Sequence, residues 1–177
     1  MPRTIRTGWC DAPDLAPVNW LCDAMLGRLA RLLRAAGEDV AMVDPGADDR
    51  AVVARGRREG RRLLTRDRRL AETGGADALW IAAQAPMEQA EALARLAPVD
   101  WRGRRFTRCT VDNALLRDAT PAEIAGLPGA ASTGAGPFRA CPACGRLYWP
   151  GSHVRQLAER LDRLADVAAS AFGTAQT

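Results

Sequence analysis

The sequence contains no lysine, one histidine and few aromatic residues, and several protein classes are excluded by what it lacks. Aromatic residues make up only 5% of the chain, so alanine, leucine and valine must fill most of the hydrophobic core. No run of 18 or more apolar residues is present, which argues against a transmembrane helix. The first twenty residues contain aspartates and prolines instead of the apolar stretch of a signal peptide. We therefore expect a soluble, cytoplasmic protein with no membrane partner.

The net charge of +4 and the pI near 9.1 are weak evidence for a nucleic-acid ligand. Basic surfaces do attract polyanions. All 25 basic residues are arginine, however, and the chain is also rich in Ala, Gly and Pro, which indicates a bias in the base composition of the coding sequence. Charge alone therefore does not identify the ligand.

The five cysteines do not form the pattern of a disulfide framework, because their number is odd and no secretion signal precedes them. Metal binding and redox chemistry are the alternatives that remain for such residues. Cys10 and Cys22 lie apart from the others and are interpreted as small apolar residues.

The 177 residues can form one ordinary domain, or a compact domain of about 100 residues with a smaller module. Hydrophobic patterning predicts strands at 18–22, 38–43, 62–65 and 79–83. Helices are predicted at 24–36, from Asp48 or Asp49 to Gly60, and at 87–96. Strands and helices alternate, which indicates an α/β fold with a parallel sheet flanked by helices.

Four segments follow from the change in composition along the chain. Residues 1–17 are predicted to be an N-terminal arm, 18–100 the α/β domain, 101–153 a small cysteine-containing module, and 154–177 an amphipathic helix and tail. Leu157, Leu161 and Leu164 form an apolar stripe on that last helix. The stripe must pack on this chain or on a second copy, so a homo-oligomer through this helix is one expectation.

Two short segments share one frame that is typical of zinc knuckles. FRACPACG begins at residue 138 and contains a Cys-x-x-Cys pair followed by glycine. That spacing lets one tight turn direct two thiolates at a single zinc ion, and the glycine can adopt a positive φ. FTRCTVDN begins at residue 106 and repeats the frame, with Asp112 in place of the second cysteine and Asn113 in place of the glycine.

The two knuckles together predict a structural zinc site with Cys109, Asp112, Cys141 and Cys144 as ligands, because zinc accepts both thiolate and carboxylate donors. A carboxylate is a harder ligand than a thiolate and should hold zinc less firmly. Three alternatives stay open: His153 could replace Asp112 as the fourth ligand, the Cys-x-x-Cys pair could be a redox pair, or the site could have lost its metal.

Aspartates also fall where a parallel sheet would bring them together. Asp23 and Asp67 follow predicted strands, and Asp49 begins a predicted helix. Grouped carboxylates repel one another and are stable mainly when a cation neutralises them. Mg2+ or Mn2+ suits such an all-oxygen site and could activate water beside a phosphodiester. Aspartate is equally common at these places for structural reasons, so the spacing leaves both interpretations open.

Three motifs resemble one known family. They are LCDAMLGRLARLLR from residue 21, EGRRLLTRD from residue 59 and CPACGRLYWPGSH from residue 141. In this order they are similar to the PIN-like RNase domain family named after the C-terminal part of the Mut-7 exonuclease. The resemblance covers residues of roughly 19 to 155.

The resemblance implies a PIN-like nuclease fold followed by a zinc ribbon, and a metal-dependent endoribonuclease that cleaves RNA. Asp23 and Asp67 match acidic active-site positions, and Asp49 fits the second acid best, with Asp48 and Asp44 as neighbours. This chain departs from the pattern at Asp112 and lacks a recognisable fourth active-site carboxylate. Within this interpretation the residues expected to contact the RNA backbone are Arg28, Arg31, Arg34 and Arg66, with Arg68 and Arg69 beside them.

Three aromatic residues have two alternative roles. Trp101, Tyr148 and Trp149 could stack on bases or, as we expect, pack the small module.

The second functional hypothesis is a non-catalytic RNA- or protein-binding module, in which the PIN-like domain is a scaffold and the ribbon makes the contacts.

Overall fold

The computed structural model describes residues 19–127, 129 and 136–172. The predicted N-terminal arm lies outside the described residues, as does the end of the predicted C-terminal tail.

A four-stranded parallel sheet forms the centre of the molecule, as the alternating pattern predicts. Its strands are β1 (Asn19–Cys22), β2 (Asp39–Met42), β3 (Arg62–Thr65) and β4 (Ala78–Trp80). Their order in the sheet is β2-β1-β3-β4, and each neighbouring pair is parallel. The carboxyl ends of all four strands therefore meet at one edge of the sheet.

Helices cover both faces of this sheet because successive strand residues point to opposite sides. The helices are α1 (Gly27–Ala36), α2 (Asp49–Glu59), α3 (Arg68–Gly74) and α4 (Pro86–Leu96), and a short 3-10 turn (Ala24–Leu26) leads into α1. Trp20, Cys22 and Leu64 pack toward α1 and α4, whereas Leu21 and Leu63 pack toward α2 and α3.

Two local predictions are corrected by the structure. Helix α3 was not predicted, because its seven residues contain a single buried leucine, Leu70, and no apolar period. The fourth strand was predicted at 79–83 but ends at Trp80. The Ile81 N–H still donates to the Thr65 carbonyl at 2.8 Å, after which the chain turns toward α4.

The second half of the chain contains a smaller antiparallel sheet. Its strands are β5 (Arg117–Asp118), β6 (Arg139–Ala140) and β7 (Leu147–Tyr148), in the order β5-β6-β7. Helix α5 (Pro121–Ala125) begins with the predicted capping box, in which the Thr120 hydroxyl accepts from the Glu123 N–H and the Glu123 carboxylate accepts from the Thr120 N–H. Trp101 is 1% exposed and packs in the core beside α1, so it is not available to a base.

Helix α6 (Ser152–Phe172) closes the molecule and packs on α4. Its buried residues Val154, Leu161 and Leu164 belong to the same core as α1 and α4. The apolar stripe is therefore covered by this chain. It does not need a second copy to bury it, so the stripe itself gives no reason to expect a homo-oligomer. Among the helices within the described ranges, none has both the length and the apolar character needed to cross a membrane.

The two halves meet in a buried contact at the end of α1. Gly37 ends this helix with φ of 98°, and the place that a Cβ atom would take at this position is occupied by the carbonyl oxygen of Arg104. The Arg104 guanidinium then reaches the fully buried Glu38, with Nη2 at 2.9 Å from Oε1, while the Trp20 indole donates to Oε2 at 3.3 Å. A residue with a side chain at position 37 would overlap the Arg104 backbone.

We predict that Gly37→Ala lowers the free energy of unfolding by about 3 kcal/mol, since alanine resists the left-handed conformation and its methyl group meets a fixed carbonyl. Gly60→Ala is the matched control. Gly60 ends α2 with φ of 62°, but a methyl group there has nothing within 4 Å. Gly60→Ala should therefore cost only about 1 kcal/mol. Urea denaturation measures both, and equal losses would show that the Arg104 contact yields easily.

Candidate active site and metal centre

The carboxyl edge of the parallel sheet brings Asp23 beside Thr65. In the register of β1 and β3, Cys22 lies opposite Leu64, and the Asp23 N–H continues the ladder by donating to the Leu64 carbonyl at 2.9 Å. The next residues along, Asp23 and Thr65, therefore lie side by side. Their side chains point to the same face of the sheet because each is two residues past a strand residue on that face, Leu21 and Leu63.

One buried hydroxyl links the two aspartates that follow β1 and β3. The fully buried Thr65 donates from Oγ1 to Asp23 Oδ2 at 3.0 Å and accepts from the Asp67 N–H at 2.9 Å. The Asp67 carboxylate also serves the fold, because its Oδ1 accepts from the Arg69 and Leu70 N–H groups at 2.7 and 3.3 Å and caps α3. Asp67 therefore caps α3 through its side chain and is linked to Asp23 through the Thr65 hydroxyl.

The acidic residues near α2 have different surroundings. Asp48 is the N-cap, with Oδ2 accepting from the Arg50 and Ala51 N–H groups, and the partly buried Asp49 is the first helical residue. Asp44 is exposed and forms an ion pair with Arg55 at 3.3 Å. In the described part of the chain, the carboxylate oxygens of Asp23, Asp49 and Asp67 do not all lie within 4.8 Å of one another, unlike the side chains of the cysteine cluster described below.

The arginines expected to face RNA divide into two groups. Arg28 and Arg31 are exposed on α1, and Arg66 is partly buried between Thr65 and Asp67. Arg34 is only 7% exposed, which corrects its place in the predicted stripe. Its guanidinium donates to the Val40 carbonyl at 2.7 and 3.0 Å and to the Val111 carbonyl at 2.6 Å. These bonds attach the first knuckle to β2 and leave Arg34 unavailable to a phosphate.

The predicted zinc ligands do come together. Cys109, Asp112, Cys141 and Cys144 each offer a ligand atom, and these atoms all lie within 4.8 Å of one another. The Cys109 and Cys144 sulfur atoms are 3.9 Å apart, and Asp112 Oδ2 is 3.5 Å from the sulfur of Cys109 and from that of Cys141. A tetrahedral zinc ion with bonds of about 2.3 Å to sulfur and about 2.0 Å to oxygen requires separations of about 3.8 and 3.5 Å. The group could hold a metal ion such as zinc.

The two knuckles have the same backbone geometry. In the first, the Asn113 N–H donates to the Cys109 carbonyl at 3.0 Å, and in the second the Gly145 N–H donates to the Cys141 carbonyl at 3.0 Å. Asn113 and Gly145 have φ of 65° and 69°, so both adopt the left-handed conformation that the shared frame predicts. The repeat in the sequence is therefore a repeat in structure.

A scan against protein-family models matches the Mut7-C RNase domain over residues 18–161. The chain belongs to the Mut7-C RNase domain family. No curated protein sequence and no solved structure gave a match. Membership confirms the resemblance, and it indicates an RNase-like role for which RNA is the implied substrate.

Asp112, and not His153, lies in the group of side chains that could hold a metal ion. His153 is exposed at the start of α6, outside the ligand group, and its ring meets the edge of Trp149 with centroids 5.7 Å apart. Asp112 is held in the group because the Cys144 thiol donates to its carboxylate, which lowers the pKa of Asp112. The same hydrogen bond raises the pKa of Cys144 to about 11.

Tyr148 supports the ligand Cys109 from behind. Its hydroxyl lies 3.1 Å from the Cys109 sulfur and accepts from the Thr110 N–H at 3.2 Å. Burial raises the pKa of Cys109, but hydrogen bonds from Tyr148 and from backbone N–H groups outweigh burial, so that pKa lies below its usual value. Burial and the nearby sulfur raise the pKa of Tyr148 to about 12, so its hydroxyl remains a donor. Tyr148 therefore packs the metal module.

Sequence reasoning missed two residues at the sheet edge. The sequence pattern identifies Thr65 only as a strand residue and Trp80 only as part of the fourth strand. Trp80 is 46% exposed and lies opposite Thr65 in the register of β3 and β4. Strand alternation places each residue on a face, but the register between strands decides which residues become neighbours, and register is set by the folded sheet.

Proposed function

We propose that this Mut7-C chain is a metal-dependent endoribonuclease that cleaves RNA phosphodiester bonds at the carboxyl edge of its parallel sheet. Family membership supports the ribonuclease class. The observation that carries the proposal is the single Thr65 hydroxyl, which lies within 3.0 Å of both the Asp23 carboxylate and the Asp67 backbone nitrogen. Residues far apart in sequence are thereby brought to one place, where parallel sheets bind their ligands.

The kind of donor atom at this edge supports Mg2+ or Mn2+, although the three carboxylates are not gathered within 4.8 Å of one another. Asp23, Asp67 and Asp49 supply only carboxylate oxygens, the donors that such hard cations prefer. Asp23 engages Thr65 through Oδ2 and Asp67 caps α3 through Oδ1, so each has a second oxygen for a cation. When bound, the cation would activate water and neutralise charge on the phosphate. Thr65 would orient Asp23, and Asp67 would be held by its own helix.

Zinc is proposed as the structural metal of the second site, with Cys109, Asp112, Cys141 and Cys144 as its ligands. The separations between sulfur atoms and between sulfur and oxygen support a tetrahedral ion. The partly buried Tyr148 would then support the ligand Cys109 through the hydrogen bond between its hydroxyl and the Cys109 sulfur.

RNA is proposed to approach across the exposed Arg28 and Arg31 and the partly buried Arg66, with the exposed Arg68 and Arg69 at the start of α3 beside them. Arg28 and Arg31 have no ion pair with an acidic residue in the part of the chain that the structure describes, so their charge is available to phosphates. Such contacts release counterions and weaken as salt increases.

The proposal is tested by incubating purified protein with RNA and either Mg2+ or Mn2+, with Asp23→Asn and Asp67→Asn as comparison proteins. Cleavage that requires the divalent ion and is lost in both variants supports the nuclease. Cleavage that is equal in all three proteins would reject it. Salt-sensitive RNA binding without cleavage would instead favour the non-catalytic binding module.

Thr65 is a positioning residue within this proposal. Thr65→Val preserves the side-chain shape but removes the hydroxyl, so we expect about a 10-fold loss in cleavage rate, equivalent to about 1.4 kcal/mol. Thr65→Ser retains the hydroxyl and should restore most of the rate despite the smaller side chain. Initial rates at matched Mg2+ concentration provide the comparison. A valine variant as fast as wild type, or a serine variant as slow as valine, would contradict this role.

A further inference from the structure

A large aromatic side chain lies beside the aspartates and remains half exposed to solvent. Trp80 is the last residue of β4, and 46% of it is accessible. Trp20 and Trp101, by contrast, are at most 1% exposed and fill the core. Trp80 therefore contributes less to packing than its size would allow.

The register of the sheet places Trp80 in one row with the proposed active-site residues. Thr65 lies opposite Trp80 across β3 and β4, and Asp23 is the next neighbour on the other side of Thr65. Paired residues on adjacent strands point to the same face. Because adjacent strands are about 4.8 Å apart, the Trp80 backbone lies roughly 10 Å from that of Asp23.

The indole is held in a defined place. Its Nε1 donates to the Arg66 carbonyl at 3.2 Å, and Arg66 is the residue between Thr65 and Asp67. The Arg68 guanidinium carbon lies 5.9 Å from the centre of the Trp80 ring, and Arg68 is also ion-paired with Glu72 at 3.0 Å. The ring thus has a fixed polar end and a cationic neighbour, the combination that proteins use to bind single-stranded nucleic acids.

We propose that Trp80 is a base-binding residue, which stacks against an unpaired base of the substrate next to the phosphodiester held at Asp23 and Asp67. This inference rests on the proposed nuclease function. An aromatic ring can stack on any base, since every base has a flat face, so the contact selects for an unpaired strand and not for a sequence. A base inside a duplex is already stacked and paired and cannot reach the ring.

The test measures binding of a dye-labelled single-stranded oligoribonucleotide by fluorescence anisotropy, without added Mg2+ or Mn2+ so that the RNA stays intact. Trp80→Ala should raise Kd roughly 5- to 150-fold, the range of one base–aromatic stack. Trp80→Phe retains a flat ring and should fall between Trp80→Ala and wild type. Phe172→Ala removes another exposed aromatic side chain, 43% accessible at the end of α6, and should leave Kd unchanged.

Three further measurements separate stacking from simple charge attraction. The same RNA as a duplex should bind wild type and Trp80→Ala with equal Kd. A single strand in which the bases are replaced by abasic sites should bind wild type as weakly as the intact strand binds Trp80→Ala. The difference in fluorescence between wild type and Trp80→Phe measures the emission of Trp80. Binding of the intact strand to wild type should quench this emission, which reports the contact directly.

The stacking contact is rejected if Trp80→Ala binds the intact strand as tightly as wild type, or if the abasic strand binds wild type as tightly as the intact strand. The nuclease proposal is judged separately, by divalent-ion-dependent cleavage. A wild-type protein that cleaves in an Asp23-dependent way but shows no effect of Trp80→Ala retains the nuclease and loses the stacking contact. Weaker binding by Trp80→Ala in a protein that shows no divalent-ion-dependent cleavage would retain the stacking contact and reject the nuclease.

Discussion

Asp23→Asn is expected to reduce RNA cleavage about 1,000-fold, a loss of about 4 kcal/mol of transition-state stabilisation. The amide is neutral and nearly the same size, so it removes the charge that would hold a divalent cation but preserves the shape. Thr65 can still donate its hydroxyl to the amide oxygen, as it does to Asp23 Oδ2 at 3.0 Å. We therefore expect the free energy of unfolding to change little, and the effect to be confined to chemistry.

Asp77→Asn is the matched control for this change. Asp77 is an exposed aspartate just before β4, so it lies at the amino edge of the same sheet, where it forms an ion pair with Arg57 at 2.8 Å. Single-turnover cleavage rates at saturating Mg2+ should be unchanged for Asp77→Asn and reduced for Asp23→Asn. Equal rates in the two variants, or full activity in Asp23→Asn, would remove the carboxyl edge from consideration as the active site.

Loss of zinc is expected to lower the free energy of unfolding by at least about 4 kcal/mol, which corresponds to free zinc at 1,000 times its Kd. Purified wild type should contain one zinc per chain. Cys144→Ser should reduce that content and the melting temperature together, because serine is a poor zinc ligand. Cys144 is exposed and its replacement removes little packing, so a chelator should bring wild type to the stability of Cys144→Ser.

The first knuckle connects this metal site to the parallel sheet. Asn113 follows the ligand Asp112, and its side-chain oxygen accepts from the Val40 N–H of the edge strand β2 at 3.0 Å, while its nitrogen donates to Asp39 Oδ1 at 2.8 Å. Removing zinc should therefore speed hydrogen exchange at the Val40 amide before exchange in the central strand β3 increases. An unchanged Val40 amide after chelation would show that the sheet does not depend on the metal.

Asp112→Cys provides the opposite change to the same site. It completes four thiolates, so zinc should bind more tightly than in wild type because sulfur is the softer donor. Competition with a chromogenic chelator measures the difference. If the cysteine variant bound zinc less tightly, Asp112 would be better adapted to the site than its replacement, and the tetrahedral arrangement would need revision.

Much of the fold could be predicted from local sequence, and the reasons are visible in particular residues. The predicted strand at 62–65 is β3 without change, because Gly60 stops α2 and Asp67 begins the next element. The cluster of Cys109, Asp112, Cys141 and Cys144 could be predicted because each knuckle is a local turn. Its hydrogen bonds, from Asn113 to Cys109 and from Gly145 to Cys141, span only four residues.

The chain by itself determined the order of its elements, its two knuckles and its family, since short-range spacing encodes turns, helix ends and ligand pairs. Only the tertiary structure decided which distant side chains became neighbours. It buried Arg34 against carbonyls of β2 and the first knuckle, and it placed Thr65 between Asp23 and Trp80. Such neighbours depend on strand register and on packing between the two halves, and these arise from the sum of many long-range contacts, which no local pattern records.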